Sequence, residues 1–100
     1  MDPAITDIII SDVVVSTAGH DQGKLFYVIG TDPVYLILAN GMDRTLVKPK
    51  RKKRKHVQKV LRSETRVATK IRNGDKVLNS ELRRDLAYIS RQMQSNDLGG

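Results

Sequence analysis

The run KPKRKKRKH, residues 48–56, places seven cations in nine positions: Lys48, Lys50, Arg51, Lys52, Lys53, Arg54 and Lys55, closed by His56. Cations at this density neutralise phosphates and release condensed counterions, so the chemistry on offer is polyanion binding rather than bond making. A second stretch, Gly19-His20-Asp21-Gln22-Gly23-Lys24, has two glycines that let the backbone turn tightly and aim N–H groups at an anion. Lys24 is the only cation before residue 44, and a plain hairpin would use the same glycines. Catalysis has little to work with. His20 and His56 lie 36 positions apart without metal-ligand spacing, and the carboxylates are scattered. No phosphate-loop or dinucleotide-loop pattern occurs, because Gly19 to Lys24 is too short and leads into a strand. No catalytic residue, metal, cofactor or small-molecule substrate is expected.

The charge is divided unevenly. Residues 1–43 hold one cation and six acids, net −5, whereas residues 44–100 hold 17 cations and five acids, net +12. General solubility does not require such clustering, and the asymmetry points to a polyanionic partner for the second half. Cysteine is absent, which excludes disulfides and thiolate metal sites. The Met1-Asp2-Pro3 start has no basic segment followed by an apolar run, and no apolar stretch approaches the roughly 18 residues of a membrane span. The expectation is a soluble, cytoplasmic protein without a membrane partner.

One hundred residues without a repeat make one small domain. Ile8-Ile9-Ile10 and Val13-Val14-Val15 are β-branched runs, Lys24–Ile29 and Val34–Ala39 are further strands, and Thr31-Asp32-Pro33 is a turn. Asn40-Gly41 is a strong hairpin signal, expected to fold Thr45-Leu46-Val47 back on the preceding strand. Another strand is expected over His56–Leu61. Short strands with tight turns predict a small barrel or strongly curved sheet over residues 1–62, with the basic segment 48–56 flanked by strands. Pro49 suits an edge or a loop, since it lacks the N–H of a central strand. The period then changes. Ser63 is placed to cap a helix that carries Glu64 in its first turn and ends at Asn73-Gly74. A longer helix starts near Asn79 or Ser80, with Leu82, Leu86, Ile89 and Met93 as an apolar stripe. Residues 63–100 therefore form a helical extension that packs its stripe on the sheet or offers it to a protein partner.

DVVVSTAGHDQGKLFYVIG, residues 12–30, resembles the KOW motif: Val13 and Val15 on a strand, Ala18-Gly19 entering a loop, Gly23-Lys24 leaving it, and Val28-Ile29-Gly30 on the next strand. Residues 37–58 resemble the continuation in small bacterial KOW-domain RNA-binding proteins, which are similar to large-subunit ribosomal proteins of archaea and eukaryotes. In those proteins a Lys-Pro opens a lysine-rich run closed by a His and an apolar residue, as Lys48-Pro49, His56 and Val57 do. The resemblance implies a mainly β fold, an SH3-like small β-barrel followed by C-terminal helices. It also implies binding to RNA, ribosomal RNA above all, through His20, Gln22, Lys24, Lys48, Lys50, Arg51, Lys52, Lys53, Arg54, Lys55 and His56. Two departures from the family pattern stand out. Arg54 stands where an apolar residue is expected, and His20 and Gln22 stand where cations are common.

With four aromatic residues there is little equipment for stacking bases, so backbone- and shape-directed binding is expected. The alternatives are a protein-interaction module of the translation or transcription machinery, using the helical stripe, and a nuclear import signal in PKRKKRKH. The import reading requires an extended, accessible segment, which flanking strands do not favour.

Overall fold

A computed structural model of the chain describes residues 7–99, with side chains described as far as Gln94. The Met1-Asp2-Pro3 start, read for a leader, lies outside the described residues. Five antiparallel strands form one sheet: β1 (Asp12–Ser16), β2 (Leu25–Thr31), β3 (Tyr35–Ala39), β4 (Lys50–Lys53) and β5 (Val57–Arg62), in the order β4-β3-β2-β1-β5. Two helices follow, α1 (Arg66–Asn73) and α2 (Asn79–Gly99).

The edge strands β4 and β5 are joined only by a 3₁₀ turn, Arg54–His56. A flat five-stranded sheet would hold its edges about 19 Å apart. Three residues of 3₁₀ helix rise only about 6 Å. The sheet must therefore curl until its edges approach at that corner. Bonds from Arg54 N–H to Val34 O (2.9 Å) and from Thr17 N–H to His56 O (2.9 Å) fix the turn between the β2–β3 connection and the end of β1. No ladder joins β4 to β5, so the curl stops short of a closed barrel.

Alternation along the strands gives the sheet two buried faces. Val14, Phe26, Val28, Leu36, Leu38 and Val57 form one cluster with Ile8. It unites β3 with β5, which are not neighbours in the sheet, so it fills the concave side of the curl. Val13, Tyr27 and Ala39 face the other way and pack on Val67, Ala68, Leu82, Leu86 and Ile89 of the helices. The expected stripe thus lies on the chain's own sheet, except Met93, which stays 38% exposed.

Three expected local structures differ. Ile8-Ile9-Ile10 is not a strand. The Asp12 carboxylate accepts the Ile9 N–H at 2.9 Å and Ser11 takes φ +75°, so the chain reverses there and buries only Ile8. Asn40-Gly41 does not make a two-residue hairpin. Asn40 Oδ1 accepts the N–H groups of Met42 (2.9 Å) and Arg44 (3.1 Å), which closes a wider loop, and Thr45-Leu46-Val47 stays in it. The strand that returns on β3 is the basic run itself, with Leu38 opposite Lys50 and Tyr35 opposite Lys53. The cap of α1 is Thr65 rather than Ser63, and no acid lies in its first turn. Gly74 closes α1 in the left-handed region, as the sequence suggests.

Ser63 lies two residues before the cap and joins a buried polar cluster instead. The buried Tyr27 hydroxyl donates to Asp85 of α2 and shares hydrogen bonds with Ser63 Oγ (2.9 Å) and Thr65 Oγ1 (3.2 Å). This polar cluster locks the helices to β2. Burial first, then the Asp85 carboxylate, push the Tyr27 pKa up to about 12. Below pH 10 both folded and unfolded chains keep the proton. Between pH 10 and about 12 the unfolded chain releases it more readily, so stability falls as pH rises, by at most about 2–3 kcal/mol. Urea titrations at pH 9 and pH 11.5 should show a larger loss for the native chain than for Tyr27→Phe. Equal losses would mean that this hydroxyl does not carry the alkaline instability.

Candidate nucleic-acid interface

As strand β4, the basic run is divided by the two-residue period. Lys52 and Arg54 point inward and are 8% and 9% exposed, whereas Arg51, Lys53 and Lys55 are exposed. Lys52 lies opposite Leu36, whose side chain is in the concave core. Its Nζ donates to Ser16 Oγ (2.7 Å) and Ala18 O (2.7 Å) and stands 3.9 Å from the buried Asp21 carboxylate. Arg54 donates from Nε to Asp32 O (2.9 Å) and from Nη1 to Ile8 O (3.1 Å). Each of these cations ties the basic segment to a distant loop. Replacing Lys52 by methionine should lower stability by about 2 kcal/mol, the scale of hydrogen bonds made by a buried charge. Lys53→Ala, on the open side, should change it by less than about 0.5 kcal/mol. Urea unfolding separates the two, and equal values would contradict the inward–outward assignment.

The second half of the loop that Lys52 holds turns its backbone donors back into the loop. The N–H groups of Gln22, Gly23 and Lys24 donate to Gly19 O, Ser16 O and Asp21 O, so they are committed internally. Gly19 and Gly23 adopt φ +77° and +88°, which serves the hairpin. What the loop contributes is position. A hollow of about 410 Å³ lies between it and β4, with Gly19, His20 and Asp21 on one side and Lys50 to Lys53 on the other. Tyr35 and His56 complete it, and Arg44 reaches in from the 40–49 loop.

Six of the eleven residues expected to bind RNA therefore line one hollow: His20, Lys50, Arg51, Lys52, Lys53 and His56. Lys48, in the loop before β4, and Lys55, in the 3₁₀ turn, are exposed outside it, and Arg54 is turned inward. Gln22 is exposed and is not part of the hollow. Lys24 lies in a separate depression with Met42 and Arg83, paired with Asp43 at 2.6 Å. That bond, helped by one from the Asn40 amide, holds the Asp43 pKa down at about 2.

The acids of the first half account for much of the charge asymmetry. Asp7 and Asp12 pair with Lys59 and Arg62 of β5, and Asp21 pairs with Arg44 and Lys52. Hydrogen bonding and charge from Lys59 hold the Asp7 carboxyl below the usual carboxylate range. Those cations are spent inside the fold. Lys48, Lys50, Lys53 and Lys55 form no ion pair among the described residues. Lysines on an edge strand also discourage edge-to-edge pairing, but that need not extend to the flanking Lys48 and Lys55.

Two contributors, Tyr35 and Arg44, were not legible as site residues. The Arg51 guanidinium carbon lies 3.7 Å from the Tyr35 ring centroid, an arrangement that depends on the β3–β4 register. Arg44 is distant in sequence from both the loop and β4, and only its charge marks it. Its Nη2 contacts Asp21 at 3.4 Å, and its Nε has no hydrogen-bond partner among the described residues. No group of three or more His, Cys, Asp or Glu side chains among the described residues is arranged to hold a metal ion, and no helix among them is long and apolar enough to cross a membrane. No protein-family model matches the chain, and no curated protein matches its sequence.

Proposed function

We propose that the chain is a non-enzymatic RNA-binding protein of the KOW type, cytoplasmic, that contacts structured RNA, ribosomal RNA foremost, through its backbone phosphates. The binding surface is the open side of β4 and its flanks, Lys48, Arg51, Lys53 and Lys55, with Lys50, His20, His56 and Arg44 around the hollow. One observation carries this: the glycine loop and the basic run, separate in sequence, line one hollow beside cations that no described acid neutralises. An SH3-like barrel is the finer description of the fold that we favour. It is supported by the order β4-β3-β2-β1-β5 and by the single 3₁₀ turn between the edge strands.

The protein-docking alternative has less to stand on, because Leu82, Leu86 and Ile89 are packed against the sheet. The import-signal alternative is weakened in the same way, since Lys52 and Arg54 are turned inward. The deciding experiment is crosslinking in cells followed by sequencing of the attached RNA. A ribosomal peak is the expected result. Partners that survive thorough nuclease treatment, with no RNA attached, would favour the protein-interaction module.

A further inference from the structure

The hollow beside β4 is not a shape that a duplex fills. Its volume of about 410 Å³ lies in the range of clefts that hold small ligands, roughly 300–1,000 Å³. One wall carries a flat feature among the lysines: Arg51, exposed, with its guanidinium over the Tyr35 ring. A guanidinium braced on an aromatic ring is a platform on which an unpaired base stacks, and stacking of this kind accepts any base. Lys53, on the same face as Arg51, and Lys50, half-buried on the face of Lys52, both line the hollow, within which the flanking phosphates of such a nucleotide would lie. Arg44, whose Nη2 stands 3.4 Å from Asp21, adds a further cation to the lining of the same hollow.

We propose that the hollow captures one unpaired nucleotide, bulged or extruded from a structured RNA, with its base on the Arg51–Tyr35 stack and its phosphates on Lys50 and Lys53. This rests on the RNA-binding function and specifies the RNA feature recognised.

The test uses the full chain and three RNA hairpins of equal stem length: fully paired, carrying a single-nucleotide bulge, and carrying an abasic residue at that bulge. The bulged hairpin should bind about tenfold more tightly than the paired one, and the abasic hairpin should fall back to the paired value. Arg51→Lys, which keeps the charge and removes the planar group, should abolish the bulge preference while leaving the salt dependence unchanged. Equal, salt-dependent binding of all three RNAs would overturn base capture and leave phosphate-directed binding standing. Equal gains for the bulged and abasic hairpins would also overturn it, because bulge flexibility alone would then explain the preference. A bulge preference that survives Arg51→Lys would remove the stack as its cause. Failure of every hairpin to bind would overturn both this proposal and RNA binding itself.

Discussion

Replacing Lys50, Arg51 and Lys53 together by alanine will weaken binding to a structured RNA hairpin by about 10²–10³-fold at 0.1 M salt. The estimate follows from counterion release: each phosphate neutralised adds roughly 0.7–0.9 to the slope of log affinity against log salt. Three lost contacts make the slope shallower by about 2–3, and the native and variant lines should converge near 1 M salt. Arg51 and Lys53 lie on the open side of β4 and Lys50 is half-buried on the face of Lys52, and none of the three makes the loop-holding hydrogen bonds of Lys52. Far-ultraviolet circular dichroism and the urea midpoint should therefore stay close to native, so that lost affinity is not lost fold. Lys24→Ala serves as a charge control, because Lys24 is paired with Asp43 in the separate depression. It should leave the slope unchanged. If the triple variant keeps the native slope, the basic strand is not the interface.

The choice of these three cations shows what the sequence could and could not tell. Composition singled out a densely basic segment, and the two-residue period of a strand warned that its cations would divide. Arg54, the basic residue where an apolar one was expected, does turn inward, and it meets carbonyl oxygens there. Lys52 could not be singled out, because its partners, Ser16 and Ala18, are brought to it only by the curl of the sheet. The charge asymmetry between halves was legible, but its cause was partly internal. Pairing β1 with β5 places Asp12 against Lys59 and Arg62, and no count of charges reveals a strand order. The helical stripe was legible because its period is local. The Ile8–Ile10 run misled because the reversal is set by its neighbours, Asp12 accepting the Ile9 N–H and Ser11 taking a positive φ, against the strand preference of the isoleucines themselves.

Gly41→Ala will lower stability by about 4 kcal/mol, equivalent to a fall of roughly 20 °C in Tm for a chain of this size. The asparagine–glycine pair advertised a positive φ, and Gly41 does adopt +78°, but the larger constraint is one that the sequence hides. A Cβ at this position would overlap the Asn79 carbonyl oxygen and lie 3.2 Å from Arg83 N, at the start of α2. Two hydrogen bonds moor the loop there: Arg83 Nη1 donates to Gly41 O (2.9 Å) and Leu46 N–H donates to Asn79 Oδ1 (2.9 Å). Relieving the overlap must move the 40–49 loop, which feeds directly into β4, or the helix, which carries Leu82 and Leu86 into the core. Gly74→Ala isolates the conformational part. Gly74 has a similar φ of +73°, but a Cβ there meets nothing within 4 Å. It should cost only about 1–2 kcal/mol. The difference between the two variants, measured by urea unfolding, is the energy of the close approach between loop and helix. If Gly41→Ala costs no more than Gly74→Ala, the packing of the loop on α2 is not what holds the basic strand in place. If the larger cost is found, hairpin RNA binding by Gly41→Ala should also weaken, at a temperature where the variant is still folded, because displacing the loop shifts Lys48 and Lys50 first.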